Sequence, residues 1–238
     1  ENLYREAARV HAQGNPAEAE RLFKTLLVTN PRHTLARERL AAIQLDGGRW
    51  QEAQGTLEQG VAQVPQHLPF RYQLARLYLE RGETAQAQTL LEDARHAGHT
   101  DAELHAFLAA IHQRAGRHGD AVKSYREALT LRPEEGRWWV GTGISLEAQQ
   151  ESSAARDAYR RALEADPNDV PALIGLGVIA LSAGLPDSAG PLFDRAIRLG
   201  PDLPDPYLYR ALAVVQSAGG MTEAARNDLL RFIELAPT

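Results

Sequence analysis

WVGTGISLEAQQESSAARDAYRRALEADP, residues 139–167, predicts two helices joined by a short turn. The first is expected from about Arg137 to Ala148 and the second from about Ser152 to Ala165. The second helix carries an apolar stripe at helical spacing, formed by Ala155, Ala158, Tyr159, Ala162 and Leu163. Ser152 and Ser153 are expected to cap its start, and Pro167 to stop the unit, because proline cannot continue a helix.

The same hairpin recurs along the whole chain. Alanines follow one another at intervals of 34 residues, with one interval of 36 before the last, at Ala19, Ala53, Ala87, Ala121, Ala155, Ala189 and Ala225. Twelve residues after each comes a proline, with His99 as the exception: Pro31, Pro65, His99, Pro133, Pro167, Pro201 and Pro237. Such a period predicts seven repeated units, at about 1–33, 34–67, 68–101, 102–135, 136–169, 170–203 and 204–238.

Small residues are expected where the two helices of a unit cross. Helices that approach to roughly 8–10 Å need a small side chain at the contact. The first helices supply one at Ala7, Ala41, Ala75, Ala109, Gly143, Gly177 and Ala213. A large residue follows each repeating alanine by four positions, at Phe23, Leu57, Leu91, Tyr125, Tyr159, Phe193 and Leu229.

The period of 34 and these positions resemble the tetratricopeptide repeat. The resemblance covers the whole chain. It implies an all-α fold, a right-handed superhelical solenoid of seven helix-turn-helix hairpins that forms one domain over residues 1–238.

Local signals mark the ends of several helices. Asn15 is expected to cap the helix that begins at Pro16, with Glu18 completing a capping-box-like arrangement. Gly98 replaces the missing proline as a helix terminator, and Thr222 is expected to cap the last helix. Trp50, beside the Gly47-Gly48 turn, is expected to cover the helix junction rather than to bind a ligand.

Composition excludes several classes of function. The chain has no cysteine, which excludes disulfides, zinc thiolate sites and cysteine nucleophiles. The formal net charge of −5 gives no electrostatic case for binding nucleic acid. No run of 18 apolar residues is present. The chain begins without Met inside a first helix, which is compatible with an upstream targeting or anchoring segment.

The first helices are expected to line a concave surface. In units five to seven the outward-facing positions form what we call the apolar strip: Val140, Ile144, Ile174, Val178, Leu181 and Val214. An exposed apolar patch of this size usually marks a contact surface, here a groove for an amphipathic helix or an extended apolar peptide. Tyr72 and Arg76 hold the same positions in unit three, and Arg210 holds one of them in unit seven. The alternative is that these residues contact only their neighbours within the fold.

Other chemistries have little support. Arg76 stands alone on its part of the groove, which disfavours a carboxylate clamp, and Arg210 is expected to pair with an acidic ligand group or to be solvated. His105 and His112 share a helix face at packing positions, so we predict neither a metal site nor a cofactor. The Gly141-Thr142-Gly143 step lacks a preceding strand, and Ser145 has no catalytic partners in any recognisable motif. The prediction is a protein without enzymatic activity.

A second resemblance is narrower. Arg132 to Ala148, RPEEGRWWVGTGISLEA, with the preceding GRHGDAVKSYREAL, resembles the repeat region of bacterial MSHA-type pilus biogenesis proteins. This resemblance spans about residues 1–165, whereas residues 166–238 are closer to generic bacterial arrays such as those of cytochrome c maturation factors. It implies an assembly scaffold on the periplasmic side of an inner membrane, with a cytoplasmic location left open.

The sequence therefore predicts a scaffold that captures an apolar or amphipathic segment of a protein partner, in assembly of an envelope complex such as a pilus or secretion system. Two alternatives stay open. One is a self-assembling module, and the other is an accessory domain of a larger enzyme.

Overall fold

The computed structural model describes residues 2–236. These residues form fourteen α-helices and no strand, which confirms the predicted all-α fold of consecutive hairpins. The helices are α1 (Asn2–Ala12), α2 (Pro16–Thr29), α3 (Thr34–Asp46), α4 (Trp50–Gln63), α5 (Leu68–Glu80), α6 (Thr84–His96), α7 (Ala102–Arg114), α8 (His118–Leu131), α9 (Gly136–Ala148), α10 (Ser152–Ala165), α11 (Val170–Ser182), α12 (Pro186–Leu199), α13 (Asp205–Ala218) and α14 (Glu223–Leu235). Pro237, expected to close the last unit, lies outside the described residues.

The chain divides into two compact units, residues 1–100 and residues 101–238. The first unit holds the three hairpins from α1 to α6, and the second holds the four hairpins from α7 to α14. Within each unit every helix packs against the next one along the chain. The arrangement of all seven hairpins as one domain stays a prediction.

Only some of the predicted N-terminal helix caps are present in the structure. The Asn15 and Thr222 side chains accept the backbone N–H groups of Glu18 and Ala225, at 3.2 and 3.1 Å, so both predicted caps are confirmed. The capping box is wrong, because the Glu18 carboxylate accepts from Arg21 instead. The serine cap of α10 is also wrong, since the residue at the cap position is Glu151 and its side chain makes no capping bond.

A left-handed residue ends the first helix of every hairpin. Six of these residues are glycines, namely Gly14, Gly48, Gly82, Gly116, Gly184 and Gly219, with φ between 69° and 80°. In the fifth hairpin the residue is Gln150, with φ of 64°. Gly98, with φ of 90°, follows the end of α6 as predicted. Glycine suits these positions because it lacks the Cβ that strains this conformation in other residues.

Large side chains of the second helices fill the space between small residues of the first helices. The Tyr159 ring, 1% exposed, lies against Gly143 of its own hairpin and Gly175 of the next. A Cβ at these glycines would lie 2.6 and 2.4 Å from ring atoms. Tyr125 likewise lies against Gly141, where a Cβ would come within 2.4 Å of the ring. The sequence predicted the contact within a hairpin but missed the equally close contact with the following hairpin.

Candidate functional site

The apolar strip is covered to different degrees along its length. Ile144, on α9, is 44% exposed, whereas Val140 on the same helix is 8% exposed and lies in the core. The other members are half-buried: Ile174, Val178, Leu181 and Val214. Of the six side chains of the strip, one is exposed, four are partly accessible and one is buried.

Val140 differs from the expectation of a surface position. It belongs to a core cluster of the second unit that includes Ala155, Tyr159 and Ile179. Val140 is therefore packed within the fold and offers little surface to a ligand.

Val178 and Leu181 pack partly against a second cluster, which is built from Ala189, Phe193 and Ala213. Val214 lines an open cavity of about 380 Å³ between α12 and α13. This end of the strip is anchored in the packing of the last two hairpins and leaves part of each side chain accessible.

Arg210 also differs from the expectation. Its guanidinium donates to both carboxylate oxygens of Asp228, at 2.8 and 2.6 Å, and to Asp194 at 2.7 Å. These hydrogen bonds, from Asp228 above all, raise the pKa of Arg210 above its ordinary value. Arg210 connects α13 to α12 and α14 and is not a free cation for an acidic ligand.

Gln113 of α7 and Glu147 of α9 each accept a hydrogen bond from a tyrosine of the same hairpin. The Tyr125 hydroxyl donates to Gln113, at 3.3 Å, and the Tyr159 hydroxyl donates to the Glu147 carboxylate. Burial raises the pKa of Tyr125 to about 12, and burial together with Glu147 raises that of Tyr159 further. Each pair links the two helices of its hairpin in the second unit.

In the first unit the two groove residues have different surroundings. Tyr72 is half-buried on α5. Arg76 is exposed, and the described residues offer it no ion pair or hydrogen bond. It lines a cavity of about 320 Å³ together with Asp46, Trp50 and Glu80.

His105 and His112 lie beside polar side chains of the fold. His105 Nδ1 lies 2.8 Å from a carboxylate oxygen of Glu127, and His112 accepts a hydrogen bond from Arg117. Residues 2–236 contain no group of three or more histidine, aspartate or glutamate side chains placed to hold a metal ion. None of the helices in that range is long and apolar enough to cross a membrane.

Comparison with known proteins identifies the repeats. Two family models, both described as tetratricopeptide repeat, match residues 10–69 and 48–111 and residues 108–170 and 141–204. Together they cover most of the chain. The mouse protein O-mannosyl-transferase TMTC1 is 30% identical over 104 residues, which are 42% of this chain and 11% of that protein. The chain spans 11–16% of the length of the curated relatives that it matches.

Solved structures show the same fold. PilF of Pseudomonas aeruginosa superposes with a TM-score of 0.63 at 25% identity, over 71% of this chain and 76% of that chain. A tetratricopeptide repeat protein of Parabacteroides merdae ATCC 43184 superposes with a TM-score of 0.74 at 16% identity, over 100% of this chain and 93% of that chain. From its repeat register, its fourteen described helices and these matches, the chain belongs to the tetratricopeptide repeat family.

Proposed function

We propose that the chain is a non-enzymatic scaffold that captures an apolar or amphipathic segment of a protein partner on the apolar strip. The observation that carries the proposal is the exposure of Ile144, 44% open on a helix whose other apolar groove residue, Val140, is buried. Leaving a branched aliphatic side chain in water forgoes about 1.5–3 kcal/mol of burial free energy. A partner that covers Ile144 and its half-buried neighbours recovers part of that free energy.

The rigidity of the surface supports this mode of binding. Val140 and Val178 pack on core clusters, and Glu147 and Arg210 are held by hydrogen bonds. A surface already ordered before binding loses little conformational entropy when the partner docks. The partner alone then bears most of the ordering cost, as an amphipathic helix or an extended peptide does.

For the biological setting we favour assembly of a bacterial envelope complex such as a pilus. The resemblance of residues 1–165 to MSHA-type pilus biogenesis proteins supports this setting. The similarity to PilF at 25% identity agrees with it. Deletion of the gene tests the setting, with loss of surface pili expected and a normally piliated cell contradicting it.

The match to TMTC1, named as a transferase, supports one alternative, an accessory repeat domain in a longer enzyme. Extending the sequence in both directions along its gene tests this alternative directly. A catalytic domain in the same reading frame would favour it.

Selection from a displayed library of random 12-residue peptides tests the proposed groove. We expect the wild-type chain to enrich amphipathic sequences with apolar residues, and the Ile144→Glu variant to bind them at least tenfold more weakly. Leu131→Glu is the matched control, because Leu131 is 52% exposed on α8 of the same unit but lies outside the strip. Equal losses in both variants, or unchanged binding by Ile144→Glu, would reject the strip as the site.

A further inference from the structure

Trp50 is a large aromatic side chain that the repeat does not require. It is 44% exposed at the first position of α4. The equivalent residues in the other hairpins are Pro16, Thr84, His118, Ser152, Pro186 and Thr222. Trp50 lines two neighbouring cavities, of about 320 and 520 Å³, and both are also lined by Glu80. The indole therefore borders open space on two sides, and the expectation that it covers the helix junction stays a prediction.

Around Trp50, two arginines form ion pairs with glutamates, whereas two carboxylates have no such partner among the described residues. Arg49 lies 2.6 Å from Glu20, and Arg81 lies 2.8 Å from Glu83, so both cations on the wall of the larger cavity are engaged. The carboxylates of Asp46 and Glu80 have no hydrogen bond or ion pair among residues 2–236. Arg76 is the one unpaired cation on the smaller cavity, which leaves an excess of negative charge beside the indole.

A second tryptophan shows what such a ring accepts in this protein. The guanidinium groups of Arg132 and Arg137 lie 4.7 and 5.5 Å from the centroid of the Trp138 ring. Both arginines also form ion pairs with Glu103. Trp138 thus has cations over its ring and a carboxylate beside them. Trp50 has the carboxylates and the open space, but no cation of the described residues lies over its ring.

We propose that Trp50, Asp46 and Glu80 form a site for an arginine side chain of a partner peptide. The planar guanidinium stacks on the indole, and its N–H groups donate to the two carboxylates. The site lies wholly within the first unit. It shares no residue with the apolar strip and does not depend on the strip's function.

NMR titration with the blocked peptide acetyl-Gly-Arg-Gly-amide tests the proposal. The Trp50 indole N–H resonance, assigned with a Trp50→Phe variant, is expected to shift saturably, while those of Trp138 and Trp139 stay in place. The same peptide with citrulline, which has the shape of arginine without its charge, is expected to cause no saturable shift. No shift with arginine, or equal shifts with both peptides, would overturn the proposal.

Two variants are expected to change the affinity for the arginine peptide in opposite directions. Asp46→Asn with Glu80→Gln should weaken arginine binding by about fivefold or more, since the neutral amides no longer supply a negative charge to the guanidinium. Arg76→Gln should strengthen binding modestly, because it removes a like charge from the same cavity. Weaker binding by Arg76→Gln, or unchanged binding by the double variant, contradicts the assignment. Ile144→Glu should bind arginine normally, which separates this site from the proposed peptide groove.

Discussion

Gln150 occupies a backbone conformation that glycine occupies in the other six hairpins. Its φ of 64° is left-handed, and its side chain is exposed with no hydrogen-bond partner among the described residues. For a residue with a Cβ this conformation costs roughly 1–2 kcal/mol. No side-chain hydrogen bond or ion pair of Gln150 within residues 2–236 offsets that cost.

Replacing Gln150 with glycine is therefore expected to stabilise the protein by about 1 kcal/mol, after allowing for the greater freedom of glycine in the unfolded chain. The melting temperature should rise by about 2–4 °C. Gln150→Ala is the control, because alanine retains the Cβ and should bring no comparable gain. A lower melting temperature for Gln150→Gly would show that the glutamine makes a favourable interaction.

Burial of the Tyr125 phenol is expected to make the free energy of unfolding decrease at alkaline pH. Burial raises its pKa to about 12, against about 10 in an unfolded chain. Below pH 10 the phenol is protonated in both states, and its contribution to stability is complete. Between pH 10 and 12 only the unfolded chain releases the proton, so stability falls as the pH rises.

Urea unfolding at pH 9 and at pH 11 measures this loss. The wild type should lose about 1 kcal/mol more than Tyr125→Phe over that range, because the variant lacks the buried phenol. Identical losses would mean that the Tyr125 hydroxyl reaches solvent in the folded protein.

At the scale of the helices, register decides packing. The tight approach of α9 and α11 to the Tyr159 ring depends on two glycines, one from each helix. Gly175 follows Tyr159 by sixteen residues, and Gly141 follows Tyr125 by the same interval. This spacing was visible in the sequence, and it marks where consecutive hairpins meet.

Gly175→Ala should destabilise the protein by about 1–3 kcal/mol, since the new Cβ would lie 2.4 Å from the Tyr159 ring. Gly55→Ala is the matched control. Gly55 is also inside a helix, α4, but a Cβ there meets nothing within 4 Å, so its replacement should stabilise by about 0.5–1 kcal/mol. Thermal unfolding measures both, and the same sign of change for both variants would contradict the packing described.

The helices were more predictable than their side-chain bonds. The hairpin expected at about Arg137–Ala148 and Ser152–Ala165 is found at Gly136–Ala148 and Ser152–Ala165, because seven copies of one pattern define a common register. The cap of α10 was missed because serine at the helix start does not determine which residue takes the cap position. Such choices depend on local backbone geometry that periodicity does not encode.

At the scale of the whole molecule, the sequence predicted which positions lie along the first helices but not how far neighbours cover them. Val140 and Ile144 are one turn apart and both apolar, yet one is core and the other is open. Arg210 looked free because its partners, Asp194 and Asp228, lie 16 and 18 residues away on two other helices. The two cavities that Trp50 lines could not be predicted either, because they depend on the spacing between helices.

The central proposal is that a protein partner binds at the apolar strip. Site-specific photocrosslinking in the source cells tests this proposal most directly. A photoreactive benzoyl-phenylalanine in place of Ile144 should crosslink to a discrete protein partner, through an apolar or amphipathic segment identified by mass spectrometry. The same probe at Leu131, which is 52% exposed in the same unit, should not. A partner captured from position 131 but not from position 144 would contradict the account.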